Sequence, residues 1–139
     1  MLSTLLYADN FLGRSLVGRI SQGTAKANQQ IKAINLKGEK VDEGRLTKIF
    51  RYEGTKKVPI EVGEAGDIVV IAGLEKANVA DTICDLEVNE PIEATPIDPP
   101  TMSIKITVNS SPLAGTEGKK LTSTQIRDRL ILEAQNNVG

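Results

Sequence analysis

The residues that invite a chemical reading lie near the end of the chain. From Asn109 to Leu130, "NSSPLAGTEGKKLTSTQIRDRL" passes from a strand-like stretch through a glycine-bearing loop with two lysines into a helix-like stretch. A phosphate-binding loop has this outline. Its glycines let backbone amides point at phosphate, its lysine reaches the outer phosphates, and the Ser or Thr after it takes Mg²⁺. The spacing here does not fit. Gly118 and Lys119 supply the glycine–lysine pair, but the place of the first glycine holds Leu113 and the place of the hydroxyl holds Lys120. Thr122 comes too late to hold the metal. The stretch is read as a surface loop. Lys119 and Lys120 beside a helix N-terminus form a candidate contact for an anionic partner.

Little else in the composition supports catalysis. The chain has no His, which removes imidazole ligands and imidazole bases. Its one cysteine, Cys84, cannot pair within the chain and suits a reducing cytosol. Beside Ile83 on an apolar stretch it reads as buried and inert. Glu61, Glu64 and Asp67 are explained by turn chemistry better than by a metal site. No catalytic, cofactor-binding or metal-ligating residue is assigned. One cluster remains: Arg45, Lys48, Arg51, Lys56 and Lys57 against the single carboxylate Glu53 between positions 45 and 57. It suits a solvated strand face or a phosphate-contacting patch. The net charge of −1 means that any attraction for nucleic acid must be local.

The elements that would position these residues are short strands. "LSTLLYAD" (2–9), "SLVGRIS" (15–21), "QQIKAINL" (29–36), "VPIEV" (58–62) and "DTICDLEV" (81–88) are strand candidates separated by glycine and polar turns. Pro59 places the 58–62 strand at an edge. "GRLTKIFRYEG" (44–54) reads as one strand with a bulge between Leu46 and Ile49. The unbroken run Ile68–Ala72 suits a strand covered on both faces. Strands at this spacing, with no helix of useful length before residue 100, predict a mainly β fold with a closed or partly closed barrel over 1–90. Aromatics are few, so the core must be built from Val, Ile, Leu and Ala.

Composition then changes. Residues 91–100 fall in a proline-rich stretch containing Pro91, Pro96, Pro99 and Pro100, which predicts an extended linker. "TMSIKITV" (101–108) alternates Met102, Ile104, Ile106 and Val108 and reads as a half-buried strand. Thr122 and Gln125 form a capping box, with Leu121 and Ile126 at staple positions, so a helix is expected over about 123–135. One strand and one helix cannot bury each other's apolar faces. Residues 101–139 are therefore expected to be the truncated start of a domain, completed by further chain or by another molecule. Self-association through the exposed helix is one such partner. No apolar run reaches the ~20 residues of a membrane span.

Two stretches carry a resemblance. "VNSSPLAGTEGKKLTSTQIRDRL" resembles the opening of the third domain of the TypA/BipA family of translational GTPases, through Asn109, Ser111, Pro112, Leu113, Ala114, Gly115, Glu117, Gly118 and Lys119, and then Thr122, Ser123, Ile126, Asp128, Arg129 and Leu130. Thr116 replaces the family's usual Arg. "VGRISQGTAKANQQI" (17–31) and "TKIFRYEGTKKVPIEVGEAGDIVVIAGLEKANVADTICD" (47–85) are similar to barrel domain II of translation factors, with Asn28 and Ala80 where glycine is common. The resemblance implies a translation-factor domain II-type β-barrel followed by a β–α piece of an α+β, ferredoxin-like domain. It implies a cytoplasmic, non-catalytic, ribosome-docking module of a GTPase whose GTP-binding domain, with its GTP and Mg²⁺, lies outside these residues. The implied partners are ribosomal RNA and proteins and the neighbouring GTP-binding domain. Arg45, Lys48, Arg51, Lys56, Lys57, Lys119 and Lys120 are the candidate contacts. The same barrel in an EF-G- or LepA-like factor is the competing reading.

Overall fold

The computed structural model describes residues 1–9, 12–116, 118 and 122–137. The chain divides into two compact units, Met1–Ile97 and Asp98–Gly139.

The first unit is all β. Its strands are β1 (Leu2–Asp9), β2 (Gly13–Arg19), β3 (Thr24–Lys26), β4 (Gln30–Ile34), β5 (Lys40–Arg45), β6 (Lys48–Glu53), β7 (Lys56–Ile60), β8 (Val62–Glu64), β9 (Ile68–Ala72) and β10 (Thr82–Cys84). Eight form one antiparallel sheet in the order β5-β4-β10-β1-β2-β9-β6-β7, and β3 pairs with β8. The mainly β expectation holds. Pro59 falls on β7, an edge strand, where a missing N–H costs no ladder bond.

Side-chain alternation sorts this sheet into two faces. Leu6, Leu16, Ile71, Ile49 and Ile60 stand side by side across β1, β2, β9, β6 and β7. They belong to or pack against the main core, which also holds Ile20, Ile31, Ala33, Leu46, Val69, Leu74 and Ile83. One residue along, Leu5, Val17, Val70, Phe50 and Pro59 form the matching row on the other face. Val17 and Val70 are buried there too. In β9, Val69, Val70, Ile71 and Ala72 are only 0%, 1%, 3% and 3% exposed, which is why this strand reads as an unbroken apolar run.

Two strand expectations need correction. Residues 44–54 are not one bulged strand. The chain stays beside the β4 segment through Leu46, whose N–H donates to Gln29 O at 2.9 Å, and changes partner at Thr47, whose N–H donates to Ala72 O at 2.9 Å. β6 then pairs with β9 and β7. The break in periodicity marks a crossover, which has the same local signature as a bulge. The strand expected over 81–88 stops at Cys84, because only Thr82–Cys84 finds β4 to pair with.

The partner change brings backbones into close contact. Gly73 has φ +128°, and a Cβ there would overlap the carbonyl oxygen of Arg45. A Cβ on Gly44 would overlap the carbonyl oxygen of Gly73. Elsewhere among the described residues two non-glycine residues adopt positive φ, Asn28 at 67° and Ala80 at 70°. These are the two positions where the resemblance has glycine. Asn tolerates this conformation, whereas an L-residue such as Ala pays about 1–2 kcal/mol for it. Ala80→Gly is therefore expected to stabilise the chain by about 1 kcal/mol, after the entropy that glycine adds to the unfolded chain. In a unit of this size that is about 5 °C in Tm by thermal melt. Asn28→Gly should move Tm by about 1 °C at most.

In the second unit, α1 (Ser123–Asn136) forms as expected, with the Thr122–Gln125 capping box in place. Leu121, the proposed staple, lies outside the described residues. The strand expected over 101–108 does not form. Residues 101–110 have no ladder, Met102 and Ile104 are 88% and 84% exposed, and no described segment supplies a hydrogen-bonding partner. An alternating pattern makes a strand only when another strand takes its N–H and C=O groups. Ile106 and Val108 instead line an apolar groove with Ile126, Leu130, Ile131 and Ala134.

Candidate nucleic-acid interface

The phosphate-loop outline dissolves into local turns. Asn109 Oδ1 accepts from Ser111 N–H at 3.0 Å, Ala114 N–H donates to Ser111 O at 2.9 Å, and Thr116 Oγ1 donates to Leu113 O at 2.8 Å. Gly115 takes φ 89°. Polar side chains at these positions satisfy the loop's own backbone, as short polar residues do in turns. Lys119 and Lys120 lie outside the described residues. Among the described residues no group of three or more Cys, Asp or Glu could hold a metal ion, and no helix is long and apolar enough to cross a membrane.

The basic cluster at 45–57 is divided by the strand periodicity. Ile49 faces the core, so Arg51 and Glu53 follow it on that face, and the ladder adds Lys56 opposite Glu53. Arg51 Nη2 lies 3.0 Å from Glu53 Oε1, with both side chains largely exposed. This hydrogen bond, with Glu53 and Asp67 nearby, raises the guanidinium pKa further above its already high value. Lys48 falls on the opposite face, beside Ala72 and Ser15 in the β6–β9–β2 row. Lys57 joins it there through its ladder partner Tyr52. Arg45 pairs with Gln30 at the end of β5, one residue before the buried Leu46. The five cations thus do not form one patch.

Lys57 is held in place. Its Nζ lies 4.0 Å from the centroid of the Tyr7 ring and hydrogen-bonds the Tyr7 hydroxyl. A cation over a tyrosine face is attracted by the ring quadrupole. Tyr7 on β1 and Lys57 on β7 stand four strands apart in the sheet order, so their contact requires the twisted sheet to curl toward this face. The same face carries the buried Ser15, whose Oγ has no hydrogen-bond partner, as has that of Ser3. Cys84, half-buried, has its thiol pKa raised by burial, a shift that nearby Lys32 opposes.

Sequence reasoning did not find Arg19, Tyr7 and Tyr52. Arg19 ends β2 on the same face as Lys48 and Lys57, and Tyr52 is 40% exposed on β6. The alternation of β2 and β6 would have placed both, had it been followed past the apolar positions.

The match of this antiparallel fold to a known family defines its class, a translation-factor barrel module. The chain belongs to the elongation factor Tu domain 2 family, whose model matches residues 13–84. Almost the whole chain is also similar to proteins named large ribosomal subunit assembly factor BipA. It is 40% identical over 135 residues to the one from Bacillus subtilis (strain 168), covering 97% of this chain and 22% of that protein. It is 42% identical over 131 residues to that of Buchnera aphidicola subsp. Baizongia pistaciae, 94% of this chain and 21% of the relative. With Synechocystis the figures are 39% over 137 residues, 99% and 23%. The chain thus spans about a fifth of the length of these relatives. The similarity runs through the 101–139 region as well as the barrel, in agreement with the TypA/BipA resemblance.

Proposed function

We propose that this chain is the ribosome-docking, non-catalytic part of a TypA/BipA-type translational GTPase acting in translation or ribosome assembly. Residues 1–90 would be the domain II barrel, 91–100 the linker and 101–139 the start of the next domain. GTP, Mg²⁺ and the hydrolytic machinery would belong to a GTP-binding domain outside these residues, in the cytoplasm, with that domain and the ribosome as partners. The observation that carries the reading is the 40% identity over 97% of the chain to a protein named as a large ribosomal subunit assembly factor. The cations at 45–57, with Lys119 and Lys120, are the proposed contacts to ribosomal RNA.

Salt-titrated binding to purified ribosomes and to each subunit tests it. Affinity should fall as salt rises, because neutralising phosphates releases counterions. Arg45→Ala/Lys48→Ala and Lys119→Ala/Lys120→Ala should each weaken binding several-fold. Each lost phosphate contact should reduce the slope of log K against log salt by about 0.7–0.9. No binding at low salt would sink the docking reading.

A further inference from the structure

The chain that leaves β10 folds back on the barrel before it departs. Thr82 and Cys84 on β10 pair with Ile34 and Lys32 on β4. By alternation these four face away from Ile31, Ala33 and Ile83 of the core. Thr82, Ile34 and Lys32 are nevertheless only 2%, 1% and 7% exposed. Residues 85–92 return across them. Val88 N–H donates to Asp85 O at 3.2 Å, closing a turn. Cys84 Sγ lies 3.6 Å from Val88 O, Lys32 Nζ donates to Asn89 Oδ1 at 2.8 Å, and Ile92 N–H donates to Thr82 Oγ1 at 2.8 Å. The approach is close: a Cβ on Gly38 would stand 3.4 Å from Asn89 O and 3.9 Å from Pro91 Cδ.

We propose that residues 85–92 are a releasable strap, latched by the Lys32–Asn89 hydrogen bond, that sets how much free chain follows the barrel. Its hold is light. Residues 85–90 are exposed and belong to no ladder. A segment with so few buried contacts opens without unfolding the whole. The latch is itself a compromise. An ammonium carries three donors and loses hydration when its side chain is buried. Among the described residues Lys32 has a neutral acceptor, Asn89 Oδ1, and no ion pair; Glu43, its ladder partner on β5, is bonded to Lys40 at 2.9 Å. Opening the strap rehydrates the ammonium, which offsets the lost contacts and keeps the docked and released states close in free energy. With the strap docked, the free chain before residue 98 is 93–97, at most ~17 Å long; released, it is 85–97, at most ~45 Å. The strap governs this reach whether or not the ribosome-docking reading holds.

Amide hydrogen exchange of the full chain, read residue by residue by NMR, tests it. In the parent the Ile92 amide should exchange more slowly than residues 101–108 and faster than the β2–β9 ladder. Asn89→Ala leaves the ammonium without its acceptor and should speed exchange at Ile92 about tenfold or more, with the ladder unchanged. Asn89→Asp gives the ammonium a carboxylate and should slow it several-fold. Thr82→Val keeps the shape but removes the acceptor of Ile92, and so gives the rate of the released strap. Ladder protection in each variant shows that the barrel is folded. Three results would overturn the proposal. Exchange at Ile92 as fast as in 101–108 in the parent means that no strap is docked. Exchange at Ile92 as slow as in the ladder means that the strap opens only when the barrel unfolds. An Ile92 rate that neither Asn89→Ala nor Asn89→Asp changes means that Lys32 is not the latch.

Discussion

Gly73→Ala is expected to cost at least about 4 kcal/mol, a large part of the 5–15 kcal/mol that holds a domain of this kind together. Two penalties act together. At φ +128° an L-residue is strained whatever space surrounds it. The added Cβ would also overlap the carbonyl oxygen of Arg45, a backbone atom that no rotamer change can move away. Relief requires separating β5 from the end of β9, which breaks the crossover where Thr47 N–H donates to Ala72 O at 2.9 Å. Urea unfolding followed by circular dichroism should show the midpoint falling by about 2 M or more. Gly44→Ala, which has the steric conflict with Gly73 without the positive φ, should cost less. A loss below about 1 kcal/mol for Gly73→Ala would mean that β5 and β9 do not meet there. The position also matters for function, because this contact fixes where Arg45 and Lys48 emerge.

Leu16→Ala is expected to cost about 2–5 kcal/mol. Leu16 is 1% exposed and stands between Leu6 and Ile71 in the core row. Truncation removes the transfer energy of its buried methyl groups and leaves a cavity that rigid strands on both sides cannot close. Leu5→Ala, next to Leu6 but on the other face and 62% exposed, should stay within about 0.5 kcal/mol. The pair tests register as well as packing. A one-residue slip of β1 against β2 would exchange the faces, so Leu5→Ala would become the costly change. Equilibrium denaturation of both variants decides it.

How much of this was legible beforehand depended on how local the physics is. The capping box at Thr122 and Gln125 needs residues three apart and nothing else, and it formed as read. The apolar run at Ile68–Ala72 announced a strand buried on both faces, and it is so from Val69 to Ala72, because burial on two faces leaves no room for polar alternation; Ile68 at its start is 56% exposed. The left-handed positions of Asn28 and Ala80 were visible as departures from a glycine pattern. Three features were not legible. The break between Leu46 and Ile49 looks the same whether a strand bulges or changes partner, and only the distant β9 decides between them. The 101–108 alternation is a strand in pattern only, since a ladder belongs to two segments and no described segment pairs with it. The basic cluster at 45–57 seemed continuous because sequence proximity hides the side of a strand on which each residue falls.

The sequence by itself determined a β-rich, His-free chain with its turns and its helix cap, because each rests on composition or on residues a few positions apart, and its resemblance to a known family implied the translation-factor type. Only the tertiary structure decided that Arg51 and Lys56 share the core-side face with Glu53, while Lys48 and Lys57 join Arg19 and Tyr52 on the other. That sorting depends on register between strands up to fifty residues apart, which hydrogen bonding across the sheet fixes and no local pattern encodes.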